Sequence, residues 1–258
     1  PGSYPGVGRC LNAGSVAQCH SLGRGDKVLK VTWEARRETV EVDFRLFKHS
    51  TVVLGALPGL SLGSRDTDLL KGVLKAVCVT EEAVMREFDM ANEVRVMRHV
   101  AGHPRYLGAG WREAWDGWSR EVDLEALLGG ALYRRLPPRR FLASMLQQRG
   151  PNVCLPNAHE ELSGSRVMVM GYAPGESLAS LLRESRAKAE AGGEGAQQER
   201  AQHALLLVCG CLVPLVGYMM MLELDGVGAH LDPHPGNVRH DGETNTLWVL
   251  DWGGFARG

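Results

Sequence analysis

The chain has 258 residues, and a hydrophobic content of 44% is enough to build a substantial core. Its 29 basic and 30 acidic side chains leave a formal net charge of −1, so no charge excess points to nucleic acid, an anionic membrane or an acidic protein, and no nucleic-acid partner is expected. Six cysteines are scattered without Cys-x-x-Cys spacing, so a zinc ribbon and a small disulfide framework are both disfavoured and a reducing compartment, a matrix or a stroma fits best.

No basic stretch followed by an apolar one stands after Pro1, so no signal peptide is visible. Ser15 to Leu22 and Lys27 to Trp33 are predicted strands, joined by the turn-forming Gly23-Arg24-Gly25-Asp26 into a hairpin that opens a small antiparallel sheet. Period-two geometry sends Val28, Lys30 and Thr32 to one face and Leu29, Val31 and Trp33 to the other, so Lys30 is a charge set among apolar neighbours. Glu34 to Lys48 and Glu82 to Val100 are predicted amphipathic helices, with Val40, Phe44 and Phe47 on one face of the first and Val84, Phe88, Ala91, Val94 and His99 on one face of the second. Between them lie a Gly/Leu-rich loop, Leu54 to Arg65, and a short helix near Asp66 to Val77.

Leu107 to Gly150 is rich in Trp and Arg with weak periodicity and reads as an insertion without assigned function. An apolar strand over Arg166 to Tyr172 follows, then the turn Ala173-Pro174-Gly175, a helix from Ser177 to Ala191, and a polar low-complexity insertion from Gly192 to Gln202. Ala204 to Leu222 carries no charge and reaches membrane length. Gly210, Pro214 and Gly217 interrupt it, so a buried helix is the preferred reading. Cys209 and Cys211, inside that run, read as core filler rather than a soft-metal pair.

The segment His230-Leu231-Asp232-Pro233-His234-Pro235-Gly236-Asn237 cannot continue a helix, because two prolines hold the residues before them extended and Gly236 permits a reversal. A turn over Asp241 to Thr246 then returns the strand Leu247 to Leu250 and brings Asp251 beside Asn237. Asn237 and Asp251 are a sufficient protein share of a magnesium shell, and Asp232 is left to orient or deprotonate an acceptor. A loop Asp, an Asn five residues on and an Asp after the next strand is the order of parts used in phosphoryl transfer. Lys30 supplies the cation for the phosphates, with Glu87 or Glu93 as its carboxylate partner; six residues apart, these two face different ways. The reading requires Lys30, Asn237 and Asp251 to line one cleft. A zinc triplet of His230, Asp232 and His234 is the bland competitor, disfavoured by the intervening prolines.

These residues resemble the UbiB/aarF-type atypical kinases, also called the ADCK type. Asn12 to His20 is similar to that family's alanine-rich loop, Val28-Leu29-Lys30-Val31 to its lysine strand, Glu87-Phe88-Asp89 to its Glu-x-Asp motif with Glu93 at the following helix glutamate, Val167 to Tyr172 to its hinge strand, and Asp232 to Asn237 to its catalytic loop. The resemblance implies an α+β, kinase-like bilobal fold: an antiparallel N-lobe over 1–170 with inserted helices at about 50–80 and the insertion at about 107–150, and a hinge with an incomplete helical C-lobe over 171–258. It implies catalytic Asp232 and Lys30, ATP binding through Ala13, Gly14, Ser15, Val16, Ala17, Gln18, Val28, Lys30, Glu87, Glu93, Met170 and Tyr172, and Mg2+ on Asn237 and Asp251. It implies kinase or ATPase activity linked to ubiquinone or another prenylquinone, a lipid-like ligand, peripheral membrane association, and residence in a mitochondrion or chloroplast. The family's upstream Lys-x-Gly-Gln helix and most of its helical lobe have no counterpart here, as expected of a fragment. Gly14 stands for an alanine, Gly171 for the hinge glutamate and Trp252 for a phenylalanine. Two competing functions are a small-molecule phosphotransferase of the aminoglycoside or choline kinase type, which Trp252 favours, and a nucleotide-holding pseudokinase scaffold.

Overall fold

The computed structural model describes residues 6–56, 64–121, 150–190 and 207–256. In chain order these form β1 (Val7–Ala13), β2 (Ala17–Leu22), β3 (Lys27–Thr32), α1 (Glu34–Ala56), α2 (Ser64–Glu87), α3 (Met90–Ala101), α4 (Gly108–Glu121), β4 (Asn152–Cys154), β5 (Val167–Gly171) and β6 (Glu176–Ser177). There follow α5 (Leu178–Glu190), α6 (Val213–Leu224), β7 (Ala229–His230), β8 (Val238–Asp241), β9 (Thr246–Val249) and β10 (Phe255–Ala256). The fold is α+β, built as two compact units: Pro1–Val96 with Ala158–Tyr172, and Met97–Asn157 with Ala173–Gly258. This division departs from the boundary at residue 170 drawn on sequence, because Met97–Asn157 joins the second unit.

In the first unit the sheet order is β1-β2-β3-β5, every pair antiparallel. Registry places Leu29 opposite His20 and Val169, and Lys30 opposite Cys19 and Met168. One face therefore carries Leu22, Leu29 and Val169 with Val31 and Val167 packed on them. The other presents Val28, Lys30, Met168 and Met170, all buried. β1 escaped the sequence reading because Val7–Ala13 lacks a clean alternation and lies exposed along its whole length, with two register shifts against β2.

The helices run longer than predicted and break elsewhere. α1 and α2 extend to Ala56 and from Ser64, leaving 57–63 of the expected loop outside the described residues. The predicted helix Glu82 to Val100 is two helices, because Asp89 caps the second. Its carboxylate accepts from the Ala91 N–H at 3.2 Å while its carbonyl accepts from Asn92 and Glu93. Glu87 thus ends α2 in an exposed position, and Glu93 sits in the first turn of α3.

In the second unit, Trp111 and Trp115 of α4 are almost completely buried, so this part of the stretch read as an insertion contributes to the core. Their i, i+4 spacing puts both indoles on one helix face. Trp111 meets Tyr218 of α6 edge-on at 5.2 Å, and a Cβ on Gly217 would lie 2.7 Å from Trp115. Gly217, read as an interruption, is the gap that admits an indole. Residues 122–149, and the predicted insertion Gly192 to Gln202, lie outside the described residues. α6 follows a π-helical turn over Val208–Leu212, directly before Pro214, whose missing N–H cannot complete the ordinary ladder. Among the described residues no helix is long and apolar enough to cross a membrane. Burial pushes the Cys211 thiol up to about 11, as befits core filler. A second sheet, β4-β9-β8-β6, and the pair β7–β10 complete the unit.

Candidate functional site

β3 sends Lys30 out on the less apolar face of its sheet, where its Nζ donates to Glu93 Oε2 at 2.8 Å. The Glu93 side chain is 1% exposed and that of Lys30 11%. Two charges withdrawn from water this far are stable only as a pair, so each holds the other charged and in place. Of the two glutamates left open by the sequence, Glu93 is the partner of Lys30. Helix capping at Asp89 decides this, and no helical periodicity through residue 88 reveals it.

Beside Lys30's strand, Gly14, Ser15 and Val16 form the turn from β1 to β2, with Gly14 N–H donating to the Ala17 carbonyl at 2.8 Å. Ala13 and Gly14 are exposed, Ser15 exposed, Val16 and Gln18 half-buried and Ala17 buried. Val28 and Met170 share Lys30's face of the sheet, and Tyr172 lies just past β5, half-exposed, its N–H donating to the Asp26 carbonyl at 2.9 Å. Glu87 alone of the residues assigned to the nucleotide falls on a different helix from the one expected.

In the second unit, the loop after β7 is held by its own main chain. Asn237 N–H donates to the His234 carbonyl at 2.9 Å, Gly236 N–H to His234 Nδ1 at 2.9 Å, and the Asn237 amide to the Asp232 carbonyl at 3.1 Å. A Cβ on Gly236 would sit 2.5 Å from the His234 ring, so a larger residue there would have to displace that ring. Asp232 is exposed, its carboxylate 3.5 Å from the Asn237 amide nitrogen and 3.8 Å from His234 Nε2. The β8–β9 hairpin pairs Val238 with Val249, and Leu250 N–H donates to the Asn237 carbonyl at 2.8 Å, which brings the residue before Asp251 directly across from Asn237.

Asp251 has φ +59°, left-handed backbone that costs most residues about 1–2 kcal/mol and that Asp and Asn tolerate best. Strain held at a single carboxylate is a mark of a functional position. The turn is anchored by Trp252, fully buried, whose indole N–H donates to the Val249 carbonyl at 3.1 Å and whose ring meets His230 at 4.6 Å and Phe255 at 5.7 Å.

His230 is the residue that sequence reasoning undervalued. Its Nε2 lies 3.2 Å from the Leu250 carbonyl, and its Nδ1 accepts from the Asp232 N–H at 3.2 Å. Those two bonds specify the neutral tautomer with the proton on Nε2, and burial holds its pKa below the ordinary histidine value. His230 thereby ties the Asp232 loop to the strand end that carries Asp251. With both nitrogens engaged it is no zinc ligand, and the alternating His230, Asp232, His234 triplet is not a metal site. The available signal was a histidine two residues before the loop aspartate, beside the apolar run.

Asn237 spends its amide N–H groups on Asp232, which leaves Oδ1 as an acceptor beside the Asp251 turn. These hard oxygens suit Mg2+, which takes one or two protein ligands and completes its shell with phosphate and water. Among the described residues no cluster of three or more His, Cys, Asp or Glu side chains is suited to a metal.

Residues 140–257 match the ABC1 atypical kinase-like domain. No curated protein matches the chain. Among solved structures it is similar to Rv3197 of Mycobacterium tuberculosis, solved in complex with erythromycin, at 15% identity and a TM-score of 0.51, over 98% of this chain and 47% of that one. The chain thus spans about half the length of Rv3197, and the likeness is one of fold. APH(2″)-IIa, solved in a ternary complex with streptomycin and ATP, aligns over 97% of this chain and 67% of that one at 13% identity, but its TM-score of 0.29 is too low to bear on the fold.

Proposed function

We propose that this chain, a kinase-like protein whose residues 140–257 match the ABC1 atypical kinase-like domain, binds Mg-ATP and works as an atypical kinase or ATPase of the UbiB/aarF type. The observation that carries the reading is the buried Lys30–Glu93 pair at 2.8 Å. A strand lysine kept charged by a helix glutamate is costly unless its ammonium serves an anionic ligand, and a triphosphate is the anion this family fold accommodates.

In this reading Lys30 neutralises phosphate oxygens, and the Gly14–Val16 turn covers them. Val28 and Met170 offer apolar surface to the base, with Tyr172 at the edge. Asn237 Oδ1 and the Asp251 carboxylate would hold Mg2+, which would supply neutralising charge to the phosphates. Asp232, exposed and beside the Asn237 amide, accepts the proton of the incoming hydroxyl or water. His230 stays neutral and keeps that loop and the Asp251 turn in register. A lipid-like molecule of the prenylquinone class is the proposed further ligand, with no acceptor assigned, and the expected compartment is a mitochondrion or chloroplast.

Release of phosphate from Mg-ATP tests the reading. The Asp232→Ala variant is expected to bind nucleotide as the parent does while turnover falls about 10²–10⁴-fold. Equal turnover in the two proteins excludes Asp232 as the proton acceptor.

A further inference from the structure

We infer that Trp33 is a positioning residue for the nucleotide's phosphates, acting through the Gly14–Val16 turn; the inference rests on the Mg-ATP reading above. Trp33 lies immediately after β3 and binds the turn at two points. Its main-chain N–H donates to the Val16 carbonyl at 2.9 Å, and its indole Nε1–H donates to the Gly14 carbonyl at 3.3 Å. With Gly14 N–H already committed to the Ala17 carbonyl, both carbonyls at the tip are turned inward toward protein donors.

That orientation has a consequence for the opposite side of the peptide planes. The Gly14 carbonyl and the Ser15 N–H share one peptide plane, so a carbonyl turned in to the indole turns that N–H out, where it favours an anion. The Ser15 N–H donates to no acceptor among the described residues, and Ser15 adds a hydroxyl. Gly14 needs this support more than an alanine would, because its backbone is the freer of the two. The indole therefore restores a fixed shape to a loop that the glycine loosens.

Trp33 also begins α1. Its carbonyl accepts from the N–H groups of Arg36 and Arg37, both at 3.1 Å, so the same residue closes the turn and starts the helix. The strand that carries Lys30, the turn over the phosphates and the head of α1 thus meet in one side chain and its peptide group.

The test compares Mg-ATP with adenosine by isothermal titration of the full chain. Trp33→Phe keeps an aromatic ring but has no N–H, and a benzothienylalanine at position 33 keeps the bicyclic shape as well. Either is expected to weaken Mg-ATP about three- to tenfold, the worth of one neutral hydrogen bond, and to leave adenosine unchanged. An unchanged ATP affinity in the benzothienyl protein, or equal losses for ATP and adenosine, overturns the inference. Lys30→Met serves as the separate control. If it binds Mg-ATP as the parent does, the nucleotide reading itself fails and the role of Trp33 goes with it.

Discussion

Glu93 is buried with the Lys30 ammonium at 2.8 Å, and this makes the Lys30 position a sharp probe of the electrostatics. Lys30→Met takes that ammonium from a buried carboxylate and is expected to cost about 3–5 kcal/mol, while the double variant Lys30→Met, Glu93→Gln recovers most of it. Urea melts of the three proteins check this. At Asp251 the left-handed backbone sets a different order: Asp251→Asn is expected to melt with the parent, and Asp251→Ala to lose about 1 kcal/mol. His230 gives a pH signature. Its folded pKa lies below the unfolded value of about 6.5, so its contribution is complete above that value and is lost as pH falls through the lowered folded value. Denaturant melts at pH 7.5 and 5 should show a larger drop for the parent than for His230→Asn. Single residues were legible where one rule governs them. Strand alternation gave the facing of Lys30, whereas the choice of Glu93 over Glu87 turned on a cap at Asp89, a local competition that periodicity does not register.

Elements were legible in kind and less so in extent. The β2–β3 hairpin, the apolar strand β5 and the β8–β9 hairpin stand where turn chemistry and alternation predicted them, since Gly and Pro restrict the backbone directly. β1 was missed because an edge strand exposed on every residue has no buried face to impose alternation. α4 was read as an insertion because two tryptophans make a narrow stripe, and a stripe of large rings buries a helix with few positions. The contact between α4 and α6 supplies a prediction with an unusual sign. Gly to Ala inside a helix ordinarily stabilises by up to about 1 kcal/mol. At Gly217 the new Cβ would stand 2.7 Å from Trp115, so Gly217→Ala is expected to destabilise by about 1–3 kcal/mol. A more stable Gly217→Ala protein in a urea melt would show that α4 and α6 do not meet there.

For the whole molecule, the order of motifs along the chain carried more than any one of them. Strand lysine, helix glutamate, apolar strand, Asp-x4-Asn loop and strand-end Asp each have common bland readings, but their sequence specifies a kinase-like fold, and the ABC1 match over residues 140–257 agrees. The partition of the chain was less accessible, because Met97–Asn157 lies between parts of the first unit in sequence and belongs by contact to the second. What the chain acts on is not encoded in these motifs, whose proposed part is with phosphate and metal. The most direct measurement is the thermal shift produced by saturating Mg-ATP in the parent, Lys30→Met and Asp251→Asn. A ligand at one hundred times its dissociation constant stabilises by about 2.7 kcal/mol, so a clear rise in the parent is expected, with little or none in either variant. A parent melting curve that Mg-ATP leaves unmoved, or variants that shift as far as the parent, contradicts the proposed Mg-ATP binding and the parts given in it to Lys30 and to Asp251.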